Sequence, residues 1–260
     1  MELLERSDLP PPSRNTLARL GGTHKMTTAA AAPPSITRWI SPPRFAPYAL
    51  EAAGNVRHAV RLYDWNRELS GAVYELLHMF EVALRNAMDE QLCEWNAQQP
   101  HTDGSGFHAD AWLLDPAPLL NRLTRNGQDI HKARRRATAS SQSRLPNRPI
   151  THPDVLAQLS LGTWRYLLPN RDAGRQRLWD DALRHAFPQL TAPPRVLTAK
   201  VHDIHLLRNR VAHLEPLLRT QVVRARLTDV LAVLRAIDTV PEQWAAGHQR
   251  VTQVLKARPR

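Results

Sequence analysis

The chain has 260 residues and a single cysteine, Cys93. That excludes an internal disulfide framework and makes a reducing compartment the expected setting. Glycine is scarce, at 10 residues, while Leu, Ala and Arg abound, a bias toward helix. No run approaches the ~20 apolar residues of a membrane span, and no apolar stretch follows the first charges. Neither a membrane anchor nor a secretory signal is therefore expected, and a soluble, cytoplasmic protein is. Lysine is nearly missing too, supplying only four of the 35 cations. Strand-like alternation and internal repeats are absent.

What is present is a globular composition, 42% hydrophobic with seven tryptophans. The length suits one core with appendages. The formal charge is +11, carried by guanidinium groups that favour bidentate phosphate contacts. A polyanionic partner fits, with RNA or DNA ahead of a membrane; a general arginine bias is the bland alternative.

Residues 1–34 carry Pro10-Pro11-Pro12, Gly21-Gly22, an alanine run and Pro33-Pro34 without apolar periodicity. They are expected to be a disordered lead, with Met26 as an alternative start. A helical domain is expected over 35–258. A short helix is expected from Tyr48 to Ala53 and another around Val56 to Tyr63. The strongest pattern follows, with Leu69, Val73, Leu76, Leu77, Phe80, Leu84, Met88 and Leu92 at steps of three and four. It predicts a long amphipathic helix over 66–96. A loop is expected over 97–111, then a helix from Pro116 to about Arg136.

Six cations and no acid lie between 131 and 150. Residues 137–153 are rich in Ser, Thr and Pro, and are expected to be a flexible basic loop. Lys132, Arg134, Arg135 and Arg136 are either RNA contacts or merely solvated. Further helices are expected from Asp154 with a bend near Gly162, over 172–187, from Pro193-Pro194 to near Pro216, over 219–237, and from Pro241 through Leu255. The fold class is an all-α bundle, and the tryptophans are read as core rather than base-stacking platforms.

The segment most suggestive of chemistry reads Arg208-Asn209-Arg210-Val211-Ala212-His213. Asn209 and His213 stand at i and i+4, one helical turn apart near a helix end. At 100° per residue, Val196, Leu197, Val201, Ile204, Leu207 and Val211 face a core. His202, His205, Asn209 and His213 share the opposite, polar stripe. Arg208 falls at the edge between them. A cation, an amide and an imidazole in this arrangement suit binding a phosphate and moving a proton.

With this segment in view the chain resembles the Abi-like (abortive infection) proteins, whose domain belongs to the HEPN superfamily of helical domains. The stretches that carry the resemblance are Arg61-Leu62-Tyr63-Asp64-Trp65-Asn66, Phe80-Glu81-Val82-Ala83-Leu84-Arg85-Asn86-Ala87, Leu159-Ser160-Leu161-Gly162-Thr163-Trp164, Leu178-Trp179 with Phe187-Pro188, and Leu207 to Pro216. They span about 39–240.

The resemblance implies a HEPN-like helical bundle, often a homodimer whose two motifs meet in a composite cleft. It also implies a metal-independent endoribonuclease of phage-defence or toxin–antitoxin type, with RNA as substrate and an antitoxin or noncoding RNA as a further partner. Arg208, Asn209 and His213 would be the catalytic residues. Glu81 would be a supporting acid paired with Arg85 or Arg208, with Arg85 and Asn86 beside it. No cofactor is expected, and no metal either: His202, His205 and His213, at i, i+3 and i+11, match no ligand spacing. His213 has an alternative role as a helix-end cation, and Glu81 as one half of a structural ion pair. His202 and His205 either assist or are solvated. A non-catalytic RNA-binding or antitoxin-like protein, and a purely structural dimerisation bundle, remain as other readings.

Overall fold

The computed structural model describes residues 34–144 and 148–260. The expected lead up to residue 33, the choice of start at Met1 or Met26, and the stretch 145–147 lie outside the described residues. Among the described residues there is no β-strand, only an isolated antiparallel bridge between Pro100 and Phe107. The fold is all-α. After a 3-10 turn at Pro34–Arg38 come α1 (Pro42–Glu51), α2 (Val56–Asn96), α3 (Pro118–Leu123), α4 (Gln128–Arg144), α5 (His152–Leu156), α6 (Leu161–Leu167), α7 (Ala173–Asp181), α8 (Pro194–Ala212), α9 (Thr220–Ile237), α10 (Thr239–His248) and α11 (Val251–Lys256).

α2 is the spine. The two helices expected between Val56 and Asn96 are one, 41 residues and about 60 Å long at ~1.5 Å per residue. No glycine or proline interrupts residues 56–66, and Ala59, Val60 and Leu62 continue the buried stripe into Trp65, Leu69, Val73, Leu76, Phe80, Leu84, Met88 and Leu92. The Asn55 side chain starts the helix by accepting the His58 N–H at 3.0 Å. Helices α1, α6, α8, α9, α10 and α11 all pack against this spine.

Buried polar groups on α2 fix where the connections attach. Asn66, 6% exposed, accepts the Leu217 N–H at 2.6 Å and so ties down the chain just after α8. Asn96, fully buried, donates to the carbonyls of Ala109 and Asp115 at 2.6 and 2.9 Å and accepts the Ala117 N–H at 2.9 Å. The expected 97–111 loop is thereby closed against the helix end. Five of the seven tryptophans are core, as read from the sequence; Trp39 and Trp244 are exposed.

Four further expectations need correction. The helix expected from Pro116 to Arg136 is broken at 124–127, where Arg125, Asn126 and Gly127 adopt φ of 56°, 53° and 76°. Asn-Gly supplies the left-handed turn at little steric cost. Beyond it, α4 runs to Arg144, so residues 137–144 are helix where a flexible loop was expected, and His152–Leu156 is a further helical turn. The stripe that extends α4 is Ile130, Ala133, Ala137 and Ser141, all buried. Three of these are small, which hides the periodicity. Finally, the last expected helix is two: Gln249 is extended, and its side chain accepts the Thr252 N–H at 3.1 Å, restarting the helix as α11. At the other end, α1 begins at Pro42, with prolines in its first turn, rather than at Tyr48.

Helix α8 ends in a left-handed turn. The Leu214 N–H donates to the Val211 carbonyl at 3.0 Å and the Glu215 N–H to the Arg210 carbonyl at 2.8 Å, closing the last turn around His213. The residue in the left-handed position is Leu214, at φ 58°, where glycine is usual.

Leu214→Gly is expected to raise stability by up to about 1 kcal/mol, since the left-handed cost of a side chain is relieved. Leu214→Val is expected to lower it, because a β-branched residue fits that region worst. Urea unfolding midpoints check both signs. Asn66→Ala strands the buried Leu217 N–H and is expected to cost about 1–3 kcal/mol in the same assay.

Candidate functional site

α8 carries the motif because its apolar stripe, Leu197, Val201, Ile204, Leu207 and Val211, is buried and turns the opposite face outward. His202 and His213 are exposed on that face, His205 and Asn209 half-buried. The Asn209 side-chain amide donates to His205 Nε2 at 3.1 Å. His205 therefore presents a lone pair at Nε2 and carries its proton on Nδ1, which is buried without a protein partner. Alongside, Arg165 on α6 donates to His202 Nδ1 at 2.9 Å. Gly162 lets α6 come this close: a Cβ there would lie 3.3 Å from the His205 ring.

Arg208 reaches toward α2. Its Nε lies 3.9 Å from Glu81 Oε2, and both side chains are partly solvated. Such a pair is loose, and the guanidinium keeps donors free for another anion. Of the two partners considered for Glu81, then, the structure brings Arg208 and not Arg85. Arg85 instead donates to the neighbouring Asn86 at a long 3.4 Å. His213 caps α8, its N–H donating to the Asn209 carbonyl at 2.9 Å. Arg208, Asn209 and His213 thus occupy one end of one helix, with His205, His202 and Arg165 adjoining.

The basic candidates divide. Lys132, Arg135 and Arg136 are exposed along α4, with Arg136 donating to the Gln158 carbonyl at 3.3 Å. Arg134 turns inward and donates to the Leu113 carbonyl at 2.6 Å, and burial pushes its pKa down. It is a structural cation more than a surface one.

Two further groups escaped the sequence reading because their members are distant in sequence or lie in a loop. Asp89, Cys93 and His152 converge between α2 and α5, and His101, His108 and Asp115 in the loop after α2. Either could hold a metal ion by donor type. Burial, with Asp89 adding to it, pushes the Cys93 thiol up to about 12, so it is no nucleophile at neutral pH. His108 Nδ1 lies 3.0 Å from Asp115 Oδ1, and the Ala109 N–H donates to Asp115 Oδ2 at 2.9 Å. Those bonds hold the Asp115 carboxyl below its ordinary value.

His205 has a depressed pKa, first from burial, then from the charges of Arg165 and Arg208 and from His202. The folded state therefore binds this proton less readily than the unfolded chain, whose imidazole titrates near its ordinary 6.5. Stability is fully present above that value and is lost as pH falls through it toward the folded pKa. Thermal melts between pH 7.5 and 5, at roughly these values bracketing the imidazole range, should show a smaller acid-side drop for His205→Gln than for the wild type. An equal drop in both would rule out this residue as the source.

The Abi-like protein family model matches residues 49–219, well over half of the chain. No curated protein and no solved structure matches it. The matched stretch runs from the end of α1 through α2, with Glu81, to the close of α8, with Arg208, Asn209 and His213. The chain belongs to the Abi-like protein family.

Proposed function

We propose that this protein is a metal-independent endoribonuclease of an abortive-infection, phage-defence or toxin-type system, with a HEPN-like domain. The observation that carries this reading is the grouping of Arg208, Asn209 and His213 at the end of α8, with Arg165, His202 and His205 beside them. Two guanidinium groups flank imidazoles on a half-open face, which suits a phosphodiester.

In the proposed reaction the ribose 2′-hydroxyl attacks the adjacent phosphorus. The O2′–P bond forms, the P–O5′ bond breaks, and the products are a 2′,3′-cyclic phosphate and a 5′-hydroxyl. His213 takes the 2′-hydroxyl proton or delivers one to O5′. A single imidazole serves poorly as both, so His213 of the partner subunit takes the other role in a homodimer with a composite cleft. Arg208 balances charge building on the phosphorane, while Glu81 steadies the guanidinium. Asn209, held by His205, donates to a phosphate oxygen. DNA, lacking the 2′-oxygen, is inert. RNA is the partner along exposed Lys132, Arg135 and Arg136, and an antitoxin or noncoding RNA would restrain the activity.

The test is cleavage of total RNA in EDTA by the purified protein. Wild type should release fragments ending in cyclic phosphate, His213→Ala should be slower by about 10²–10⁴-fold, and Asn209→Ala by about 10²–10³-fold. Equal cleavage by wild type and His213→Ala would refute the assignment. Intact RNA that is nevertheless bound, with salt-sensitive affinity, would replace the enzyme with an RNA-binding or antitoxin-like protein.

A further inference from the structure

The donor atoms of Asp89, Cys93 and His152 lie within 4.8 Å of one another. Asp89 and Cys93 stand at i and i+4 on one face of α2, and His152 opens α5, 59 residues further on. His152 Nε2 lies 3.0 and 3.1 Å from the two Asp89 oxygens and 3.7 Å from Cys93 Sγ.

A catalytic relay is the first chemistry this trio suggests, and its geometry excludes one. In a nucleophile–histidine–acid relay the imidazole uses its two nitrogens in opposite directions, one toward each partner. Here the thiol and the carboxylate both face Nε2, while Nδ1 is buried without a partner. One nitrogen carries one proton or one lone pair and cannot serve both neighbours. A cation placed among the three can.

The spacing agrees. A tetrahedral zinc with Zn–S about 2.3 Å and Zn–N about 2.0 Å sets sulfur and nitrogen about 3.5 Å apart, close to the 3.7 Å found. The Nε2–oxygen distances need to open only by a few tenths of an ångström. Trp112 supplies the outer support usual at such sites: its indole N–H donates to Asp89 Oδ1 at 2.8 Å. The side chains of Asp89 and His152 are only 12% and 13% exposed. The other cluster, by contrast, is more open to solvent, its Asp115 side chain 37% exposed.

We infer that Asp89, Cys93 and His152 form a binding site for a zinc-class divalent cation that clamps α5 to α2. The mixed sulfur, nitrogen and oxygen donors select zinc or its neighbours over magnesium or calcium, and three protein ligands leave the fourth position to water. The site lies about 12 Å along α2 from Glu81, by the ~1.5 Å rise of eight residues. It is structural and independent of the nuclease reading.

The experiment is a titration of the reduced, metal-free full chain with Co²⁺, followed by displacement with Zn²⁺. The site predicts a near-ultraviolet thiolate-to-cobalt charge-transfer band saturating at one equivalent, bleached by zinc, together with a zinc-dependent rise in melting temperature. Cys93→Ser should fold, by its circular dichroism, and lose both the band and the zinc-dependent rise; His152→Gln should lose tight binding. Cobalt bound without that band, and released in His108→Ala but not in Cys93→Ser, would overturn the proposal in favour of the loop cluster. An absence of Co²⁺ and Zn²⁺ binding to the folded wild type would overturn it outright. RNA cleavage is no part of these readouts, so failure here leaves the nuclease reading standing, and the converse.

Discussion

Asn66 lies in the core of a helical bundle, and a buried amide that finds no partner costs several times what a satisfied one contributes. Its partner is the Leu217 N–H, 151 residues away. That hydrogen bond, with Trp65 donating to the Val254 carbonyl at 2.8 Å one residue earlier on α2, draws the second half of the chain onto the spine. The end of α8 is then held where Arg208 overlooks Glu81. At the far end of the same helix Asn96 does for the loop before α3 what Asn66 does for the chain after α8. The apolar stripe supplies the drive to pack; the buried amides select which segments pack where.

The electrostatics of the candidate site follow from two cations and one neutral imidazole. Arg165 and Arg208 are the guanidinium groups. His205, squeezed between them and half-buried, is held neutral, and its lone pair is committed to Asn209. The amide is thus oriented by an imidazole, and the imidazole's tautomer is fixed by the amide. The Glu81–Arg208 contact, at 3.9 Å, is long enough that the guanidinium is positioned more than neutralised.

How much of this was legible in the sequence depended on side-chain size and on sequence separation. The core of α2 was visible because Leu69, Leu76, Phe80 and Leu84 are large and regularly spaced. The end of α4 was not, since Ala133, Ala137 and Ser141 make a stripe too small to distinguish from polar linker. Asn126-Gly127 did signal its turn, but the helical pattern on either side outweighed it. On α8, the shared face of His205, Asn209 and His213 follows from the helical repeat alone. The contacts of Arg208 with Glu81 and of Arg165 with His202 join separate helices, and no local pattern encodes them. The same holds for Asp89, Cys93 and His152, where only the i and i+4 pair could have been noticed.

The family match ends shortly after the left-handed cap at Leu214, at residue 219, one residue before α9. Yet α9, α10 and α11 all pack on α2, burying Val223, Val230, Val233, Leu234, Val251 and Leu255, and Arg250 pairs with Glu75 at 2.6 Å. A fragment cut to the matched segment would keep every residue of the motif and lose the wall behind it. The unit that folds is longer than the unit that is recognisable, and during synthesis the motif leaves the ribosome before the helices that complete its core.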